Sequence, residues 1–396
     1  MVASVLSRSV LITGARAPVA LHLARLFHGA GWRVLLADTP AKPISATSRA
    51  CDGYFRLPPP RFEPKRYADV VEDLVKRENV SLVVPTCEEI FYLAALWRER
   101  GMTARLFAPD ADVLTRAHNK FDFIEICKSL KLAAPHTVLL QNRADLASIR
   151  SMASQMVFKP AWSRFASRVL LQPKPEEVDA LAPTPQAPWL AQEFIAGQEI
   201  SAYAIAQNGR LQALSLYSSI YRAGKGAGIY FKPVENEAAK AFVTDFAAGT
   251  GWTGQLSFDL ILKTDGAVLP LECNPRATSG LHFFCDPKPF AQAIWTGEGS
   301  LKPDISSPQT VRLALWIYGL PDALRRGDLR SFMHDLKSAE ELLDWPQDPE
   351  PKRAQWRALG EIAALALRHR ISLQRASTRD IEWDGPDQSS KEKLSG

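Results

Sequence analysis

The chain has 396 residues, 46% apolar and 23% charged, a composition that excludes a disordered chain and gives room for two or three domains with ample core. Its 48 cations are interspersed with 43 anions for a net charge of +5, without a dense Lys/Arg block, which argues against a nucleic-acid partner. Five scattered cysteines form no CxxC pair, so neither a zinc site nor a disulfide framework is expected.

No stretch reaches the roughly eighteen uncharged apolar residues that a membrane span needs, and no membrane partner is expected. The apolar N-terminus is interrupted by Arg8, Arg16 and Arg25 and reads as strand, turn and helix, not as a signal peptide. Cytoplasm is the default compartment.

In chain order, a buried-type strand at Val10–Thr13 is followed by a Gly14 turn. A helix with Ala20, Leu23, Ala24 and Phe27 on one face comes next, then a strand at Val34–Ala37 ending at Asp38. That alternation, with a further strand at Leu82–Val84, predicts a Rossmann-like doubly wound parallel sheet over 1–112. Gly14 and Asp38 suggest a dinucleotide site, but "GARAPVA" puts Arg16 and Val19 where close approach to a pyrophosphate needs glycine, so a plain βα turn is preferred.

From Asn119 the pattern changes to α+β, predicting a second unit over 113–300. "AQNGRL" and "KTDGAV" are hairpin signals, since Asn-Gly and Asp-Gly adopt the positive φ of two-residue turns. "PKPEEVDALAPTPQAPW" carries too many prolines to be helical throughout and reads as a connector. A mostly helical region is expected over 301–384, with Trp316, Leu336, Leu342, Leu343, Trp356, Leu365 and Leu367 as core, and a disordered tail over 385–396.

Chemistry concentrates in "SFDLILKTDGAVLPLECNPRATSG". If the run is a hairpin, Asp259 and Glu272 lie on neighbouring strands and face one side, which Asn274 shares by strand periodicity. Two carboxylates and an amide oxygen suit Mg²⁺, which takes oxygen ligands and completes its shell with phosphates. Cys273 points to the opposite face, and the Arg276 guanidinium is placed to meet a phosphoryl oxygen.

This combination resembles the ATP-grasp superfamily, most of all its carbamoyl-phosphate-synthase-like and carboxylate–amine ligase branches, over roughly residues 5 to 300. The resemblance implies that Asp259, Glu272 and Asn274 bind two Mg²⁺ ions, with Mn²⁺ as the substitute, and that Arg276 meets the ATP phosphates. It implies that Lys120 in "NKFDF" and Lys159 in "VFKP" reach the phosphates as compact point charges. "AQEFIAGQE" matches the hinge that grips adenine: Gln192, Glu193, Phe194 and Ile195 would bind the nucleotide, and Glu199 would accept the ribose hydroxyls. The flap after Lys159 departs from the family's pattern: "AWSRFASRV" has no glycine, leaving Ser163, Ser167, Arg164 or Arg168 to contact phosphate.

A second loop, "SIYRAGKGAGIYFKP", is glycine-rich and basic, and Arg222 or Lys225 is expected to steer the carboxylate or its acyl phosphate. Glu88 and Glu89 follow a strand end, either lining the substrate pocket or solvated. Trp162, Trp252, Phe283 and Phe284 read as core before an apolar acid site, and His282 as a satisfied structural residue.

The resemblance implies a ligase that phosphorylates a small carboxylate with ATP and passes the acyl group to an amine, giving an amide, ADP and phosphate; homodimers are common among such enzymes. The alternatives are carbamoyl-phosphate-synthase-like phosphorylation of bicarbonate or carbamate, and ATP binding without turnover.

Overall fold

The computed structural model describes residues 8–162, 168–223 and 227–386. The first part alternates as expected: β1 (Ser9–Thr13), α1 (Pro18–Gly29), β2 (Arg33–Asp38), β3 (Gly53–Arg56), α2 (Pro64–Arg77), β4 (Leu82–Val84), α3 (Glu89–Arg100) and β5 (Arg105–Leu106). The strands form one parallel sheet in the order β3-β2-β1-β4-β5. Val10, Leu11, Ile12, Val34, Leu35 and Leu36 are wholly buried, as continuous apolar strands must be when helices cover both faces. Gly14 turns the chain with φ of 72°.

Two helices, α4 (Ala111–His118) and α5 (Lys120–Ser129), lead into the second part. There β6 (Thr137–Leu140), α6 (Arg143–Ile149), β7 (Met156–Pro160), β8 (Leu170–Leu171), α7 (Pro175–Asp179) and β9 (Trp189–Glu193) build an antiparallel sheet in the order β6-β9-β7-β8. The proline-rich connector is helical only at α7, where Pro175 takes a first-turn position and Glu176 and Glu177 favour the helix N-terminus.

A larger sheet follows: β10 (Gln198–Gln207), β11 (Arg210–Ser218), the short ribbon β12 (Arg222–Ala223) and β13 (Ala227–Gly228), β14 (Tyr230–Pro233), α8 (Glu237–Thr250), β15 (Gly254–Leu262), β16 (Val268–Asn274) and α9 (Pro287–Trp295). Its order is β16-β15-β10-β11-β14, extended by β17 (Gln309–Thr310) and, beyond the helices α10 (Arg312–Ala314), α11 (Leu320–Arg326) and α12 (Leu329–Ser338), by β18 (Glu340–Glu341). Phe123, Phe242, Phe246, Trp252 and Phe258 pack α5 and α8 onto one face of this sheet. The chain closes with α13 (Glu350–His369) and α14 (Leu373–Ala376).

The two hairpins differ. Asn208 and Gly209 both have positive φ, at 48° and 77°, and make the expected two-residue turn. At Asp265-Gly266 only the glycine does, with φ of 85°; Gly266 N–H donates to the Lys263 carbonyl, and Lys263 N–H to that of Ala267. That turn is the longer type with a glycine bulge, because Asp265 uses its side chain to accept from the Ala267 amide and the Lys263 ammonium.

The expected C-terminal core is only partly right. Leu342 and Leu343 are buried and Leu336 half-buried, but Trp316, Trp356, Leu365 and Leu367 are exposed. The longest helix here, α13, packs through Ala358 near Leu21 and Ile44 of the first part and leaves Trp356, Leu365 and Leu367 exposed. Residues 387–396 of the expected tail fall outside the described residues, whereas Gly385 packs against Trp162. Among the described residues no helix is long and apolar enough to cross a membrane.

Candidate active site

The register of β15 and β16 sets Asp259 directly opposite Glu272, and Ser257 opposite Asn274. All three expected metal-ligating side chains therefore meet on one face: Asn274 Nδ2 donates to Asp259 Oδ2 at 3.2 Å and to Glu272 Oε1 at 3.4 Å. Cys273 is buried on the opposite side among the aromatic residues, as the alternation requires. On the next strand Ser201 faces Asp259, and its hydroxyl donates to Asp259 Oδ1 at 2.8 Å.

The two lysines arrive from different elements. Asn119 caps α5, its side chain accepting from the amides of Phe121 and Asp122, and this places Lys120 at the first helical position. Lys120 Nζ lies 3.1 Å from Glu272 Oε2. Lys159, near the end of β7, donates to Gln192 Oε1 at 2.9 Å and to the Leu271 carbonyl at 3.0 Å. Between the pairs Asp259–Glu272 and Leu260–Pro270 the register shifts, leaving Leu271 as the extra residue of a β-bulge. A bulge removes a carbonyl from the ladder, and Pro270 needs no ladder partner for an N–H, so the strand locally offers that oxygen to Lys159.

Burial and the neighbouring Glu272 raise the Asp259 carboxyl to about 7. Burial opposes charge on Glu272 too, but Lys120 and Lys159 overcome it and hold that carboxylate well below its usual range. Burial lowers the Lys159 ammonium to about 8, with Lys120 adding to the effect and Glu272 opposing it. The residues fit a divalent cation. Two carboxylates face each other with an amide nitrogen bridging them where a cation would sit, and Asn274 Oδ1 accepts from Arg276 at 3.1 Å. The Arg276 guanidinium also donates to the Ala277 carbonyl at 3.4 Å, while its buried Nε makes no hydrogen bond.

Glu193, Phe194 and Ile195, expected at adenine, line the same cavity, which encloses about 1650 Å³. Their amides are partly committed: Glu193 N–H donates to His136 and Phe194 N–H to Gln155. Gln192 is buried and acts through its side chain, fixing Lys159 with Oε1 and donating from Nε2 to Thr137. Glu199 and Arg222, expected at the ribose and at the acid, lie together as an ion pair of 2.7 Å. Lys225 and the flap residues Ser163, Arg164 and Ser167 fall outside the described residues; Arg168 lies against the Trp189 ring.

Of the two alternatives for Glu88 and Glu89, solvation fails, since both are buried, whereas Glu88 does line the cavity. Glu89 Oε1 accepts from the Thr13 hydroxyl and the Thr86 and Cys87 amides, and Glu88 Oε2 accepts from the Trp383 amide. Trp252, Phe283 and Phe284 are core, as expected. His282 is structural but not satisfied: it is buried beside His22, and its Nδ1 makes no hydrogen bond. The Arg16 side chain lies at the β1–α1 turn, binding Asp38 on one side and Asp380 on the other, both at 2.6 Å.

Three contributors escaped sequence reasoning. Ser201 carried a usable signal, standing two residues beyond Glu199 on a strand. The Leu271 bulge and the C-terminal residues that cover Arg16 carried none.

Residues 117–280 match the family described as the ATP-grasp domain. Solved structures share the fold over about three quarters of the chain. An L-amino acid ligase from Bacillus licheniformis is 16% identical, with a TM-score of 0.59 over 77% of this chain and 80% of that one. The phosphoribosylamine–glycine ligase of Thermotoga maritima is 17% identical, with a TM-score of 0.57 over 76% and 78%. The biotin carboxylase domain of the Hydrogenobacter thermophilus 2-oxoglutarate carboxylase, in complex with MgADP, ADP and bicarbonate, is 15% identical, with a TM-score of 0.58 over 76% and 73%.

Proposed function

We propose that this protein is an ADP-forming ligase that phosphorylates a small carboxylate with ATP and couples the acyl group to an amine. The observation that carries the reading is the convergence of Asp259, Glu272 and Asn274 on one face, with Lys120 and Lys159 on the same carboxylate cluster. The likeness to the three ligases and carboxylases supports it. In this reading, residues 1–112 and 301–384 flank the nucleotide-binding unit at 113–300 and close its cavity.

A carboxylate oxygen is a poor leaving group, and phosphorylation turns it into a good one. Asp259, Glu272 and Asn274 would hold Mg²⁺, which neutralises charge on the β- and γ-phosphates when bound. Lys120 and Lys159 hold phosphate oxygens in line, and the Arg276 guanidinium stabilises charge on the transferring group. The cavity wall formed by the hinge takes adenine at the Glu193 carbonyl and the Ile195 backbone, and Glu199 accepts the ribose hydroxyls. Arg222, across from Glu199, steers the acid. An amine then attacks the acyl carbon and expels phosphate.

The test is ADP release from MgATP across a panel of carboxylate–amine pairs. Release that requires both partners supports the assignment. Release with bicarbonate alone would replace it with a carbamoyl-phosphate-type reaction, and tight ATP binding without ADP under any pairing would replace it with a non-catalytic nucleotide binder.

A further inference from the structure

Residues 377–385 follow the last helix and return across the molecule. Arg16 donates to the Ser377 carbonyl at 2.9 Å and pairs with Asp380. Arg61 pairs with Glu382 at 2.9 Å and with Asp384 at 2.8 Å, while its amide donates to the Asp380 carbonyl. Tyr92 Oη donates to the Glu382 carbonyl at 2.8 Å. Ile381 is buried. The segment is thus bound along its length to the first domain.

Trp383 is where this segment meets the nucleotide-binding unit. Its indole stacks on Phe91 of α3, with centroids 4.3 Å apart and planes 9° from parallel. Its other neighbours are Trp162, edge-on at 5.2 Å, and His118 at 6.0 Å. His118 stands two residues before Lys120, and Trp162 three after Lys159. The two strands of chain are also joined directly, because the Lys120 amide donates to the Ala161 carbonyl at 3.2 Å. One side chain from the C-terminal segment therefore braces both backbone segments that carry a phosphate-directed lysine, and anchors them to the first domain through Phe91 and Glu88.

We infer that Trp383 is a positioning residue for Lys120 and Lys159: it sets the separation of the two ammonium groups across the triphosphate. This rests on the ligase reading above for the role of the lysines. Aromatic stacking fixes a ring more tightly than aliphatic contact does, and a charge displaced by about an ångström loses much of its hydrogen bonding to phosphate.

Calorimetry of Trp383→Ala, Trp383→Phe and wild type with MgATP, MgADP and adenosine tests it. For the alanine variant, ATP and ADP affinity should fall roughly tenfold, the loss expected from weakened charge-assisted hydrogen bonds. Adenosine affinity should not change, and phenylalanine should restore most of the loss. A purely structural role would lower the thermal midpoint and leave the folded fraction with wild-type affinities, and that result would overturn the inference. If Trp383→Ala does not fold, Arg61→Met loosens the same segment without opening a cavity beside the lysines, and the same selective loss is expected; its absence is equally fatal. Failure of wild type to bind ATP would instead strike the ligase reading.

Discussion

Arg222 and Glu199 form an ion pair of 2.7 Å across the cavity, joining the residue expected at the acid to the one expected at the ribose. Ribose hydroxyls arriving at Glu199 must compete with that guanidinium. Substituting the two partners should therefore have opposite consequences for ATP. Arg222→Ala frees the carboxylate and should leave the KM for ATP unchanged or lower, while the KM for the acid rises about tenfold, the size expected for one lost charged hydrogen bond. Glu199→Gln should raise the KM for ATP severalfold and spare the acid. Steady-state kinetics on both variants checks this, and parallel changes would count against the assigned roles.

Asp259 is strained by its own surroundings, since burial and Glu272 both disfavour its charge. Asp259→Asn should abolish turnover by a factor of about 10³ or more, as expected when a metal-holding carboxylate is lost. The thermal midpoint, measured without divalent cations above pH 7, should not fall and is expected to rise, because the isosteric amide removes a repelled buried charge.

Chelation supplies a related outcome. Excess EDTA should abolish ATP binding measured by calorimetry while leaving the far-ultraviolet circular dichroism spectrum intact, because Lys120 and Asn274 already occupy the carboxylates in the cation's place.

His22 and His282 give the molecule an acid limit. Their rings lie 5.0 Å apart, buried, and His22 Nε2 is 2.7 Å from the Phe284 carbonyl. Burial, with Arg25 adding to it, lowers His22 to about 4, and burial beside His22 and Arg25 lowers His282 well below 6.5. Both folded values lie below the unfolded ones. The unfolded chain therefore binds more protons, so stability present above about pH 6.5 is lost as pH falls toward 4, on the order of 3 kcal/mol from His22 alone. Urea midpoints across that range should show the fall, and His22→Gln should flatten part of it.

How much of this was legible follows from which forces act locally. The parallel sheet could be read from β1, α1 and β2 because continuous apolar strands and a one-faced helix leave periodic traces. Asp259, Glu272 and Asn274 could be read because pairing across a hairpin and period-two alternation fix which side chains meet. The misreadings share another cause. Trp356 and Leu367 belong to an amphipathic pattern whose outer flank is set by what the rest of the chain leaves uncovered, and no local rule reports that. For Glu88 and Glu89 the sequence left pocket lining and solvation open, and could not decide because their partners, Trp383 far along the chain and Thr13 on β1, are distant in sequence. The pairing of Arg222 with Glu199 left no trace in the sequence, because the two stand on separate strands of different sheets.

The ties between Arg16, Arg61 and residues 380–384 bear on the order of biogenesis. Until residue 384 has left the ribosome, Arg16 lacks Asp380, Arg61 lacks Glu382 and Asp384, and Glu88 is left without the Trp383 amide. The region that holds Arg16 and Arg61 is thus finished only after the sheets that follow it have been made, and the nascent chain must carry it half-assembled until residues 380–384 emerge.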